Sequence, residues 1–139
     1  PVVVAEESRP LYHAALAHGA NHLVTLVSQA LQLLRAAGVE PADRVIAPLL
    51  SAALDNALRS GDAALTGPVA RGDAGTVAAH LEVIAAAAAS PDPAEDAVRV
   101  GPDVVAAYRA MARATAERAL ASGRLTAERA ATLLTVLAD

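Results

Sequence analysis

All 4 histidines of this sequence fall in two stretches, LYHAALAHGANHLV at Leu11–Val24 and LTGPVARGDAGTVAAHL at Leu65–Leu81. In the second, Thr66, Gly67, Arg71, Asp73 and His80 stand amid Ala and Leu. Thr66-Gly67-Pro68 is a turn signal, because Gly tolerates φ > 0 and Pro fixes its own φ. Asp73 is placed to N-cap a helix, accepting backbone N–H bonds two or three residues on. That helix start carries unpaired N–H groups and a positive dipole end, with Arg71 beside it. It is a seat for an anion, a substrate carboxylate or a neighbouring carbonyl. The same residues also have a purely structural use, in which Asp73 only caps and Arg71 only locks the loop.

In the first stretch, His13 and Asn21 lie two helical turns apart on nearly one side, with Ala17 between them. His18 and His22 have the i, i+4 spacing that can hold a metal, but no third ligand lies near in sequence. We therefore expect no metal site.

The elements that must position these residues are helices. The chain has 139 residues, enough for one domain with a real core. It is 55% hydrophobic with 1% aromatic residues, so the core must be Ala, Leu and Val, and Ala and Leu head the helix-propensity ranking. All 11 basic residues are Arg, which leaves no lysine for Schiff-base or general-acid work. Net charge −4 with no basic tract argues against nucleic acid. Without cysteine there is no disulfide framework, no thiol nucleophile and no thiolate metal site, a composition that suits a cytoplasmic protein. The most apolar run, Leu23–Leu34, is too short and too interrupted to span a membrane.

The pattern predicts an all-α bundle of about five helices around one long N-terminal helix. That helix runs from Pro10 to Ala37, weakened at Gly19 and closed by Gly38. Between Arg9 and Arg35 it carries no formal charge. His13, His18, Asn21, His22, Thr25, Ser28, Gln29 and Gln32 fill about half of its wheel, opposite Leu16, Leu23, Val27, Ala30 and Leu34. A neutral hydrogen-bonding face suits partial burial against a domain cleft or a second subunit. A second helical region from Glu40 to Ser60 should be kinked or divided at Pro48. A third should run from Ala74 to Ala89 with Val77, Leu81 and Ile84 buried. An acidic connector from Pro91, whose middle could hold a short helical turn, leads to a helix that starts at Gly101-Pro102-Asp103 with Pro102 at N1 and runs to Ser122, and to a last one from a Thr126 cap through Ala138.

Pro1-Val2-Val3-Val4 is a β-branched run with no second strand to pair with, so residues 1–9 read as the last strand and linker of a domain upstream, and residues 10–139 as a helical domain. The alternative is an ordinary processed N-terminus.

The two quoted stretches, and with them nearly the whole chain, resemble the C-terminal helical domain of the family termed domain of unknown function 2520. In that family the domain follows a Rossmann-like domain, in the manner of ketopantoate reductase and pyrroline-carboxylate reductase. The resemblance implies a fold similar to the C-terminal domain of 6-phosphogluconate dehydrogenase. It also implies an NAD(P)-dependent oxidoreductase whose cofactor is held by the upstream domain; with no Gly-rich fingerprint, this chain alone should bind none and be inactive. Those reductases carry a catalytic Lys and an Asn four residues later on the first long helix. Here Asn21 matches the Asn, while Ala17 stands at the Lys position. His13, one turn away, would be the substitute proton donor, or else hydrogen-bonds a backbone carbonyl at the domain junction. The expected partners are a second copy of the chain and a small anionic substrate held by Thr66, Gly67, Arg71, Asp73 and His80. The rival reading is a non-catalytic dimerisation or regulatory module.

Overall fold

The structure, a computed structural model, describes residues 2–90 and 99–138. After a 3₁₀ turn at Glu6–Ser8, α1 (Arg9–Leu16) and α2 (His22–Ala36) form one rod, joined by a π-helical turn at Ala17–Asn21 around Gly19. Pro10 sits in the first turn of α1, where its missing N–H breaks no helical bond. The π turn shifts the faces of the two halves out of the register that an unbroken 3.6-residue period assigns.

A short connection leads to α3 (Ala42–Ser60), which packs back on α2. Of the two outcomes expected at Pro48, a kink or a division, the division does not occur. α3 runs through it as one helix. Pro48 and Arg44 are both exposed, so the lost i→i−4 bond leaves the Arg44 carbonyl to solvent rather than to an apolar interior.

A 3₁₀ turn at Gly61–Ala64 precedes α4 (Gly67–Arg71), α5 (Ala74–Ala89), α6 (Asp103–Ala121) and α7 (Ala127–Val136). Local chemistry sets these boundaries. Asp73 Oδ1 accepts from Thr76 N at 3.0 Å to start α5, and Thr126 Oγ1 accepts from Arg129 N at 3.4 Å to start α7. The acidic connector over residues 91–98 lies outside the described residues.

The core sits among α4–α7. Ala112, Ala116 and Ala119 repeat at helical spacing along α6, and their small side chains let α5 and α7 come close. Val77 and Leu81 from α5, Leu133 from α7 and Leu137 just beyond its end fill that seam. A smaller cluster of Ile84, Val100 and Val104 packs with Leu33 of α2. The all-helical architecture and its five long bodies (the rod, α3, α5, α6 and α7) match the sequence pattern, but the centre is α6, not the N-terminal rod.

The rod and α3 form a peripheral arm. Of the arm, only Gln29 and Ala42 are buried. Leu16 on the rod is 51% exposed, and Leu49 and Leu58 on α3 are 69% and 79% exposed, so much of the arm's apolar surface faces outward. Val2 and Val3 are exposed and belong to no strand among the described residues.

Candidate functional site

The inner side of α2 is polar at its C-terminal end, and those polar groups fasten it to the start of α6. Gln29 Nε2 donates to Asp103 Oδ2 at 2.6 Å, and the backbone N–H of Gly101 donates to Gln32 Oε1 at 3.0 Å. A bond to a carboxylate is among the stronger ones; the Gln29 end is buried, while Asp103 stands exposed at the start of α6. The sheltered stretch of the neutral face is thus Gln29–Gln32. Nearer the N-terminus, His13, His18, Asn21, His22 and Thr25 are exposed.

Between α2 and α6 lies a cleft of about 400 Å³, closed at one end by α4 and α5. Its walls are apolar, from Leu26, Leu33, Val69 and Met111, and its polar groups come from Gln29, Thr66, His80, Tyr108 and Thr115. Leu33, His80 and Tyr108 also border a second hollow of about 480 Å³. These three side chains therefore stand as a partition between apolar spaces. A third hollow of about 350 Å³ continues along the α2–α6 seam, where His18, His22 and Thr25 meet Gln29 and Met111.

His80 Nδ1 and Tyr108 Oη are 2.9 Å apart, with the rings edge to face at a centroid distance of 6.0 Å. Burial raises the Tyr108 phenol above its ordinary value of 10.0, because a phenolate would lack water. The phenol stays neutral and keeps its proton. With His80 in the Nε2–H tautomer, Tyr108 donates to Nδ1; in the other tautomer His80 donates and the phenol proton is free for a ligand. Such a pair in an apolar cleft can hydrogen-bond a carbonyl or hydroxyl and pass a proton to it.

Of the residues singled out from sequence, the fold brings Thr66 and His80 together at this cleft. Gly67 opens α4, and Arg71 ends it facing a separate hollow. Asp73 caps α5 with both oxygens engaged, Oδ1 on the Thr76 N–H and Oδ2 on the Thr76 hydroxyl at 2.7 Å. Those two bonds, and the nearby Arg71 charge, hold its carboxyl below the usual 3.8. The α5 N-terminus is thus occupied by its own carboxylate. His13 packs near the Tyr12 ring, and neither His13 nor Asn21 lines the cleft.

His18 and His22 meet across the π turn, Nδ1 to Nδ1 at 3.2 Å. Among the described residues no three His, Asp or Glu side chains gather as a metal site would need, and no helix is long and apolar enough to cross a membrane. Spacing along the sequence gives no sign of a role for Tyr108. Its pairing with His80 spans two helices and leaves no local spacing to find it by.

A family model described as a domain of unknown function, DUF2520, matches residues 1–115. No curated protein and no solved structure matches the chain.

Proposed function

The chain belongs to the DUF2520 family, and from that premise we propose that it is the substrate-cleft and dimerisation domain of a cytoplasmic NAD(P)-dependent oxidoreductase. The cofactor is held by a Rossmann-like domain elsewhere in the protein. The supporting observation is the arm. Two helical bodies expose Leu11, Leu16, Val24, Leu49, Leu54 and Leu58 beside an apolar cleft that contains a proton-bearing pair. Large apolar side chains left exposed in this number on two adjacent helical bodies suit an interface. The rod has no formal charge between Arg9 and Arg35, so a second copy can face it without like-charge repulsion. In the absence of Lys, Tyr108 and His80 are better placed than His13 to protonate a substrate carbonyl or imine as hydride arrives.

Two measurements test this. Sedimentation of the chain over a concentration series should give a dimer, and the double variant Leu49→Glu/Leu58→Glu a monomer; wild type that stays monomeric throughout rejects the dimerisation role. Full-length protein titrated with NADH and NADPH should bind one of them. Tyr108→Phe should keep that binding and lose turnover of 2-oxo acids or cyclic imines. Failure of the full-length protein to bind either nucleotide rejects the reductase role and leaves the non-catalytic module.

A further inference from the structure

Most arginines here have an evident partner. Arg9, Arg35, Arg59 and Arg118 pair with carboxylates, while Arg109 and Arg113 donate to the carbonyls of Ala138 and Leu137. Arg71, Arg124 and Arg129 instead line one hollow of about 610 Å³, with Leu65, Thr66 and Ala70. Arg129 is built in. Its Nη1 donates to the Arg71 carbonyl at 3.2 Å, and its stem lies so flush on Gly72 that a Cβ there would come within 2.9 Å of it. None of the three forms an ion pair among the described residues. Asp73 feels the charge of Arg71, but its oxygens are taken by Thr76. Gathering three guanidiniums is repulsive, and in a chain of net charge −4 nothing of the overall charge requires it. An oxyanion relieves that repulsion through charge-assisted bonds. The acidic chain as a whole repels a polyanion, so the ligand is compact. Thr66 borders both this basin and the α2–α6 cleft, which makes the two spaces neighbours.

We propose that the Arg71–Arg124–Arg129 basin binds the carboxylate or phosphoryl group of a small molecule whose apolar body passes Thr66 into the α2–α6 cleft. The basin stands by itself; the apolar body rests on reading the cleft as the substrate pocket.

The test is an NMR titration of the whole chain with inorganic phosphate, octanoate and octyl phosphate in turn. Phosphate should give saturable shifts at Thr66, Arg71 and Arg124. Arg124→Gln should weaken it roughly tenfold, while Arg44→Gln, on α3 and away from the basin, should not. Shifts that stay linear, or that weaken equally in Arg44→Gln, overturn the basin. At least one amphiphile should bind roughly tenfold more tightly than phosphate and move Met111 and Tyr108 together with the basin; which one does so identifies the oxyanion. Saturation by phosphate with neither amphiphile reaching Met111 and Tyr108 overturns the ligand class and the pocket reading, and leaves the basin.

Discussion

Replacing Gly72 with alanine should be one of the most damaging single-methyl additions to this protein. Gly72 turns the chain between α4 and α5 with φ +74°, and the added Cβ would lie 2.8 Å from Leu125 Cδ1 and 2.9 Å from Arg129 Cβ and Cδ. Leu125 is buried in the core cluster, so displacing it disturbs its packed neighbours. Arg129 Cβ is fixed to the α7 backbone, so only the Arg129 stem can give, and moving it strains the Arg71 carbonyl bond. The left-handed backbone costs an alanine about 1–2 kcal/mol, and forcing an extra carbon into a packed seam adds about 1–3 kcal/mol. Gly123→Ala separates the two terms. Gly123 has φ +72° but open space where its Cβ would go, so it should lose only the backbone part. In urea unfolding followed by circular dichroism, Gly72→Ala should fall about 2–5 kcal/mol below wild type and Gly123→Ala about 1–2 kcal/mol. Equal losses in the two variants would refute the claim that α7 is seated directly on this corner.

Other perturbations read other parts of the site. Gln29→Leu removes a bond to the Asp103 carboxylate, which can regain water, so unfolding free energy should drop by about 1–2 kcal/mol and the first turn of α6 should exchange amide hydrogens faster. Asp73→Asn keeps a capping side chain but no ionisation. Since the folded carboxyl sits below 3.8, its stabilisation is present above that pH and fades as pH falls through the folded value. The melting temperatures of variant and wild type should therefore converge on acidification, and a constant gap would contradict the assignment. Tyr108 has the opposite sign. Its folded phenol titrates above 10.0, so folding favours the neutral form, and this preference is lost as pH rises through the folded value. Phenolate absorbance should show a component ionising later than free tyrosine, and Tyr108→Phe should remove it.

How much of this could be read from the chain alone depended on range. Asp73 and Thr126 start their helices by bonds to residues three positions on, Ser90 stands just beyond Ala89, and Val77, Leu81 and Ile84 follow a 3.6-residue stripe to the core. Composition alone required helices packed through small side chains, and α6 does so with Ala112, Ala116 and Ala119. The inner face of α2 was different. The absence of charge marked the neutral polar face of the rod for shelter, but not which part of it would be covered, because that lies with the partner. Asp103 and the Gly101 N–H draw Gln29 and Gln32 inward, and Leu16 is left outside. The same limit hid the pairing of His80 with Tyr108 and the meeting of Arg71 with Arg124 and Arg129. Caps and stripes are contacts within one turn of chain, whereas a site is made by side chains from separate helices. Only the packing of α2, α4, α5, α6 and α7 brings those side chains within bonding distance.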